Sequence, residues 1–266
     1  MITDLQILRG LSRISLRDFF TLYPPHIYLI AWVPRVATQV IFFTLLANYV
    51  GGREFLEFAL IGNPVYLLTA TAIVFVTASV NWERRAGTLP LIIASPSSVL
   101  LVLSGRNFGM GLHGYLTGVV GIFLMGPLLG LRFTLLQIVL VLGILLLITL
   151  SSYCVGLLIG SFALRTRGFH NVLSNVLILT VASLCGVNFP LTALPEWART
   201  IGLLLPLTHG LQAIRLVLEG GAANLILREL LLEGVVGLVY LGLGLISFSI
   251  LLQSSRKHGS FDLQSS

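Results

Sequence analysis

The sequence predicts an all-α membrane protein: six transmembrane helices, an amphipathic interfacial helix before them, and two short re-entrant outer helices before the last span. Three observations carry this. Only 10% of the 266 residues are charged and 56% are hydrophobic, whereas soluble domains carry about 25% charged residues. Apolar runs close to the ~20 residues that a bilayer requires recur along the chain. The basic residues crowd onto alternate connecting segments, as orientation in a membrane demands.

Residues 1–25 come first. At the angular period of a helix, Arg9, Arg13 and Arg17 share one face, with Ile7, Leu8, Leu11, Ile14 and Leu22 opposite. That pattern fits a helix in the membrane surface with its arginines toward headgroups and water. An ordinary cytoplasmic helix packed on protein would carry the same pattern. Pro24 and Pro25 end it. The arginines are spread through this stretch rather than preceding a short apolar core, so it does not read as a signal peptide.

Residues 26–266 form the transmembrane domain, with spans at about 28–50, 63–81, 106–129, 135–160, 170–187 and 231–252. Phe133 to Leu164 carries no charge and exceeds one crossing, so the fourth span must tilt, kink or extend beyond the bilayer. Within the third and fourth spans, Gly114-x-x-x-Gly118 and Ser152-x-x-x-Gly156-x-x-x-Gly160 let helix backbones approach closely. With the N-terminus inside, eleven cationic residues fall on the inner side: Arg9, Arg13, Arg17, Arg35, Arg84, Arg85, Arg106, Arg165, Arg167, Arg256 and Lys257. Five fall outside: Arg53, Arg132, Arg199, Arg215 and Arg228. Both termini are therefore expected in the cytoplasm. The net charge of +6 reads as basic cytoplasmic loops rather than nucleic-acid binding.

Two connecting segments stand out. Residues 82–98 bring Glu83, Arg84 and Arg85 together, then Gly87, Thr88 and Leu89, and stop at Pro96. Residues 188–222 are apolar yet broken by Pro190, Pro195, Pro206 and Gly220–Gly221. Pro195 and Pro206 are helix starts, and neither piece that follows is long enough to span.

Enzyme chemistry finds no foothold. Lys257, the single lysine, lies in the tail, so no phosphate-binding G-x-x-x-x-G-K-[ST] loop exists, and H-E-x-x-H and G-x-S-x-G are absent too. The spans are read as free of aspartate and glutamate, which removes aspartyl-type proteolysis and the usual carboxylate of ion-coupled transport. Cys154 and Cys185 fall inside spans and are expected to form neither a disulfide framework nor a metal cluster. His113 and His170 lack a chain of partners. His209 follows Pro206 and Thr208 and reads as a helix-start residue held by local backbone, with substrate binding as the alternative. Arg35 is close enough to the inner end of its span to reach headgroups; holding an anionic lipid-like substrate is the second reading.

Two stretches resemble the membrane subunits of type-2 ATP-binding-cassette (ABC) exporters of the drug and lipid kind. "ERRAGTLPLIIASPSS" resembles the cytoplasmic loop after their second span, and "FPLTALPEWARTIGLLLPLTHGLQAIRLVLEGG" resembles the outer signature before their last span. The resemblance covers essentially the whole chain. It implies a permease half that pairs with a second half, the same or a homologous chain, and with two copies of a separate ABC ATPase subunit, in a bacterial or archaeal inner membrane. No cofactor is expected on this chain, and ATP with Mg belongs to the partner. The resemblance further implies that Arg13, Arg17, Glu83, Arg84, Arg85, Gly87, Thr88 and Leu89 couple to the ATPase. Arg35, Thr38, Gln39, Asn175 and Thr180 would line the substrate path, and Pro195, Trp197, Pro206, His209 and Arg215 would form an outer gate. A hydrophobic drug, lipid or glycolipid is the expected substrate. A polysaccharide or peptide exporter and a non-transporting scaffold remain alternatives.

Overall fold

The computed structural model describes residues 4–22, 24–95, 98–164 and 169–258. Pro96, Arg165 and Arg167 lie outside them, as do the side chains of Leu22, Arg256 and Lys257. Among the described residues every regular element is helical.

Helix α1 (Asp4–Leu22) packs on protein along one seam while keeping its arginines exposed. Leu11, Ser15 and Phe19 form that seam at four-residue spacing. Ser15 donates its hydroxyl to the Arg106 carbonyl at 2.6 Å and accepts the Gly109 N–H at 2.9 Å. Ile14 and Phe20 remain about half exposed, at 50% and 54%. One stripe of the helix thus meets protein, and an apolar margin stays exposed beside it.

A single turn, α2 (Pro25–Ile27), and a π-helical turn (Tyr28–Trp32) lead into α3 (Val33–Arg85). From Pro25 to Arg85 the apolar helical stretch runs 61 residues. Straight, it would be about 90 Å long, three times the hydrocarbon core. It is not straight. Gly52 takes φ 74° and ψ −160°, a conformation that only glycine adopts cheaply, and the chain folds back there. Val36 and Val40 consequently share a buried cluster with Leu60 and Leu67. The two arms correspond to the first two sequence-predicted spans, but the second begins well before residue 63. Its early turns are polar, with an Arg53–Glu57 pair at 3.2 Å.

The turn at 86–88 leads to α4 (Leu89–Ala94), then α5 (Val99–Arg106) and α6 (Phe108–Leu128). A Thr134–Gln137 capping box starts α7 (Leu135–Phe162). α8 (Phe169–Leu184) has 16 residues, about 24 Å of helix and shorter than one straight crossing. After a 3-10 turn (Leu191–Ala193) come α9 (Glu196–Leu203) and α10 (Thr208–Glu219), bent 89° from one another, and α11 (Ala223–His258). Among the described residues, four helical stretches are long and apolar enough to cross a membrane: Pro25–Arg85, α6, α7 and α11.

The second arm of α3 is the pillar of the bundle. Both small-residue runs seen in the sequence press against it. A Cβ added at Gly118 would lie 2.6 Å from Leu68, and one at Gly156 2.8 Å from Val76. Ser152 donates to Thr69 across the same seam at 3.2 Å. With no hydrophobic drive between helices in lipid, such close approach is what holds a bundle together.

Candidate functional site

Two polar constructions occupy opposite ends of this bundle. The first closes the end of α3. Gly87, at φ 70°, turns the chain, and the Thr88 N–H reaches back to the Glu83 carbonyl at 3.0 Å. This is a glycine-ended helix stop. The Glu83 carboxylate is buried at 7% exposure and does two things at once. It pairs with Nε of Arg106 at 2.7 Å and accepts the Thr88 hydroxyl. Arg84 caps the C-terminus of α7, donating to the carbonyls of Ala163 at 2.6 Å and Leu164 at 2.9 Å. Leu89 is a plug, 1% exposed, in a cluster with Val80, Leu103, Leu164 and Phe248. Asn107 ties the corner to Ser79 at 2.8 Å.

Of the expected coupling residues, Glu83, Arg84, Thr88 and Leu89 thus point into the protein. They tie α3, α4, α5 and α7 into one corner. Arg85 and Gly87 face outward, as do Arg13 and Arg17 on α1. Between α1 and the turn lies a crevice of about 170 Å³ lined by Ser15, Asp18, Trp82, Glu83, Ala86 and Arg106. Sequence reasoning counted Arg106 for orientation alone and missed Ser15, Ser79 and Asn107. No local pattern marks them, because their partners are distant in sequence.

The second construction is the bend between α9 and α10. Here the reading of the spans as carboxylate-free fails. Glu233 sits just inside the last span as bounded from sequence, and it is fully buried. It accepts the backbone N–H of Leu207 at 3.0 Å, that of Gly210 at 3.1 Å, and the hydroxyl of Ser151. One turn earlier, Glu229 meets Nδ1 of His209 at 2.7 Å, whose Nε2 lies 3.1 Å from the Leu203 carbonyl. A polar group at such depth persists because it is fully partnered. His209 is held by side chain and backbone together. The apolar run hid the signal, although Glu229 and Glu233 at four-residue spacing were visible in it.

Arg215 pins α10 to the pillar. Its guanidinium stacks 3.3 Å from the Phe58 ring centroid and donates to the carbonyls of Phe58 at 3.3 Å and Gly186 at 2.8 Å. Pro206 is buried beside His209, whereas Pro195 and Trp197 are exposed. An open cavity of about 330 Å³ adjoins Arg215, lined also by Arg199, Gln212 and Glu219.

The residues expected along a path are not brought together within one chain. Arg35, Thr38 and Asn175 are exposed and Gln39 and Thr180 half-buried, on elements that pack on different neighbours. Arg35 lies 4.8 Å over the Trp32 ring. His113 is enclosed by Phe19, Tyr28, Trp32 and Phe75, the nearest ring centroid at 4.1 Å. That cage clasps α1, the π-helical turn and the second arm of α3 to α6.

Long apolar helices packed through glycine seams, with their ion pairs at the ends, define a polytopic helical membrane protein. The family model described as ABC-2 family transporter protein matches residues 37–246. The chain belongs to that family and is a permease subunit of an ABC transporter, the membrane component that works with a separate ABC ATPase. No curated protein matches it.

Proposed function

We propose that this chain is one half of the transmembrane path of an ATP-driven exporter in a bacterial or archaeal plasma membrane. The path carries a hydrophobic drug, lipid or glycolipid. Two such halves, identical or homologous, and two ATPase subunits make the complex. Each half crosses the membrane six times with both termini in the cytoplasm, and the α9–α10 pair enters the outer leaflet without crossing. The corner at Glu83–Leu89 is the ATPase contact, and α9–α10 is the outer gate. The observation that carries this is the construction of the corner. A turn presenting Arg85 and Gly87 is tied internally to α3, α5 and α7, so force on the turn moves all three helices as a body. Arg13 and Arg17 are exposed as well, on α1. The path forms between the two halves, which accords with the exposure of Arg35, Thr38 and Asn175.

Topology gives the test. Single cysteines at Ala86 and Thr200, both exposed, are labelled in intact cells with a membrane-impermeant maleimide. Labelling at 200 alone is expected. Labelling at 86 and not 200 would reverse the orientation and remove the corner as an ATPase contact.

A further inference from the structure

The start of α10 is strained. Leu207 stands at φ 86°, the one non-glycine residue at positive φ among the described residues. Such a conformation costs about 1–3 kcal/mol and persists only where the surroundings over-determine it. The Glu233 carboxylate supplies that constraint. One oxygen accepts the Leu207 N–H and the Ser151 hydroxyl, and the other accepts the Gly210 N–H. Three donors from two separate elements, the bend and α7, therefore converge on one side chain of α11. Gly210 permits the approach: a Cβ there would stand 2.3 Å from Ile148 of α7. His209, joined to Glu229 on the same helix, secures the next residue of the bend.

We infer that Glu233 is the latch of the outer bend, a positioning residue that holds α9 and α10 closed against α7 and α11. The inference rests on the reading of α9–α10 as a gate. Ser151 and Glu233 sit on different long helices, so a slide of α7 against α11 by an ångström or two breaks the shared acceptor. The strained backbone at Leu207 then relaxes and the bend opens. Packed interfaces switch between discrete arrangements rather than deforming continuously, and a single carboxylate with three donors is such a two-position element.

Cys185 is a native reporter. It is 1% exposed and packs in the cluster that holds Leu205, Leu207 and Leu211. In a Cys154→Ala background it is the remaining thiol. Its rate of modification by an impermeant methanethiosulfonate is measured in right-side-out vesicles carrying the assembled protein. Glu233→Gln has the same shape, but its amide nitrogen must face either the Gly210 N–H or the Leu207 N–H, donor against donor. Leaving one buried N–H without an acceptor is expected to raise the Cys185 rate about tenfold. An unchanged rate, with the variant in the membrane at the wild-type level, overturns the latch. Should Glu233→Gln fail to insert, Ser151→Ala removes one donor and keeps the carboxylate. A rise of about threefold is expected there, and a flat response overturns the proposal equally. The assay needs no ATPase. A responsive Cys185 in a chain that no ATPase accompanies would sink the transporter reading and leave the latch standing; an unresponsive one in an assembled complex would sink the latch alone.

Discussion

Glu83→Ala is expected to insert normally yet lower substrate-stimulated ATP hydrolysis by the assembled complex about tenfold or more, whereas Glu83→Gln keeps it within a few-fold. The contrast follows from where the carboxylate points. It pairs with Arg106 at 2.7 Å and takes the Thr88 hydroxyl, and it is buried rather than exposed. Glutamine preserves both contacts: its carbonyl faces Arg106, and its amide donates to Thr88, whose hydroxyl accepts as readily as it donates. Alanine removes both and frees the turn that carries Arg85 and Gly87. The Arg106 side chain is 37% exposed, so the loss falls between the ~0–1 kcal/mol of surface pairs and the ~3–5 kcal/mol of a buried charge left alone. Equal activity of Glu83→Ala and wild type would show that the corner is not a rigid coupling element. Equal damage from both variants would mean that charge, not shape, is what the partner reads.

Among the described glycines, Gly62→Ala is expected to add the most disruptive single methyl. A Cβ at Gly62 would stand 1.9 Å from the Val187 carbonyl oxygen, and backbone cannot rotate away as a side chain can. The second arm of α3 must then separate from residues 186–188. Asn63 binds Asn188 there at 3.1 Å, and Arg215 grips the Gly186 carbonyl. Overpacking of this kind costs about 1–3 kcal/mol and sometimes more. Thermal unfolding of the detergent-solubilised complex should show a midpoint lower by several degrees. Gly10→Ala is the control. Nothing lies within 4 Å of its added Cβ, and alanine favours helix, so stability should hold or rise slightly. Unchanged stability of Gly62→Ala would mean that the pillar and the outer bend are not in register as described.

Much of the fold was legible because lipid imposes long apolar runs. The seams at Gly118 and Gly156 were legible as well, since small residues at four-residue spacing have few other uses. Helix ends were less so. α11 starts at Ala223 rather than near 231, and the second arm of α3 is helical from Arg53. Hydropathy sees only apolar turns, and the polar turns of these helices, with Arg228 and Glu229 or Arg53 and Glu57, fall outside its reach. The corner at 82–88 was legible as a place but not as a construction. Whether Glu83 faces out or in is decided by Arg106 on another helix. Glu233 was overlooked because one carboxylate does not break an apolar run of that length, and its meaning lies in three donors brought from elsewhere in the chain.

If this chain is the membrane half of an ATP-driven machine, the composition of the native complex must show it. The tagged chain is purified from its own membranes in mild detergent, and its companions are identified and counted by mass spectrometry. An ABC ATPase subunit at about one copy per permease chain is the predicted result. A folded, monodisperse preparation with no such subunit would contradict it.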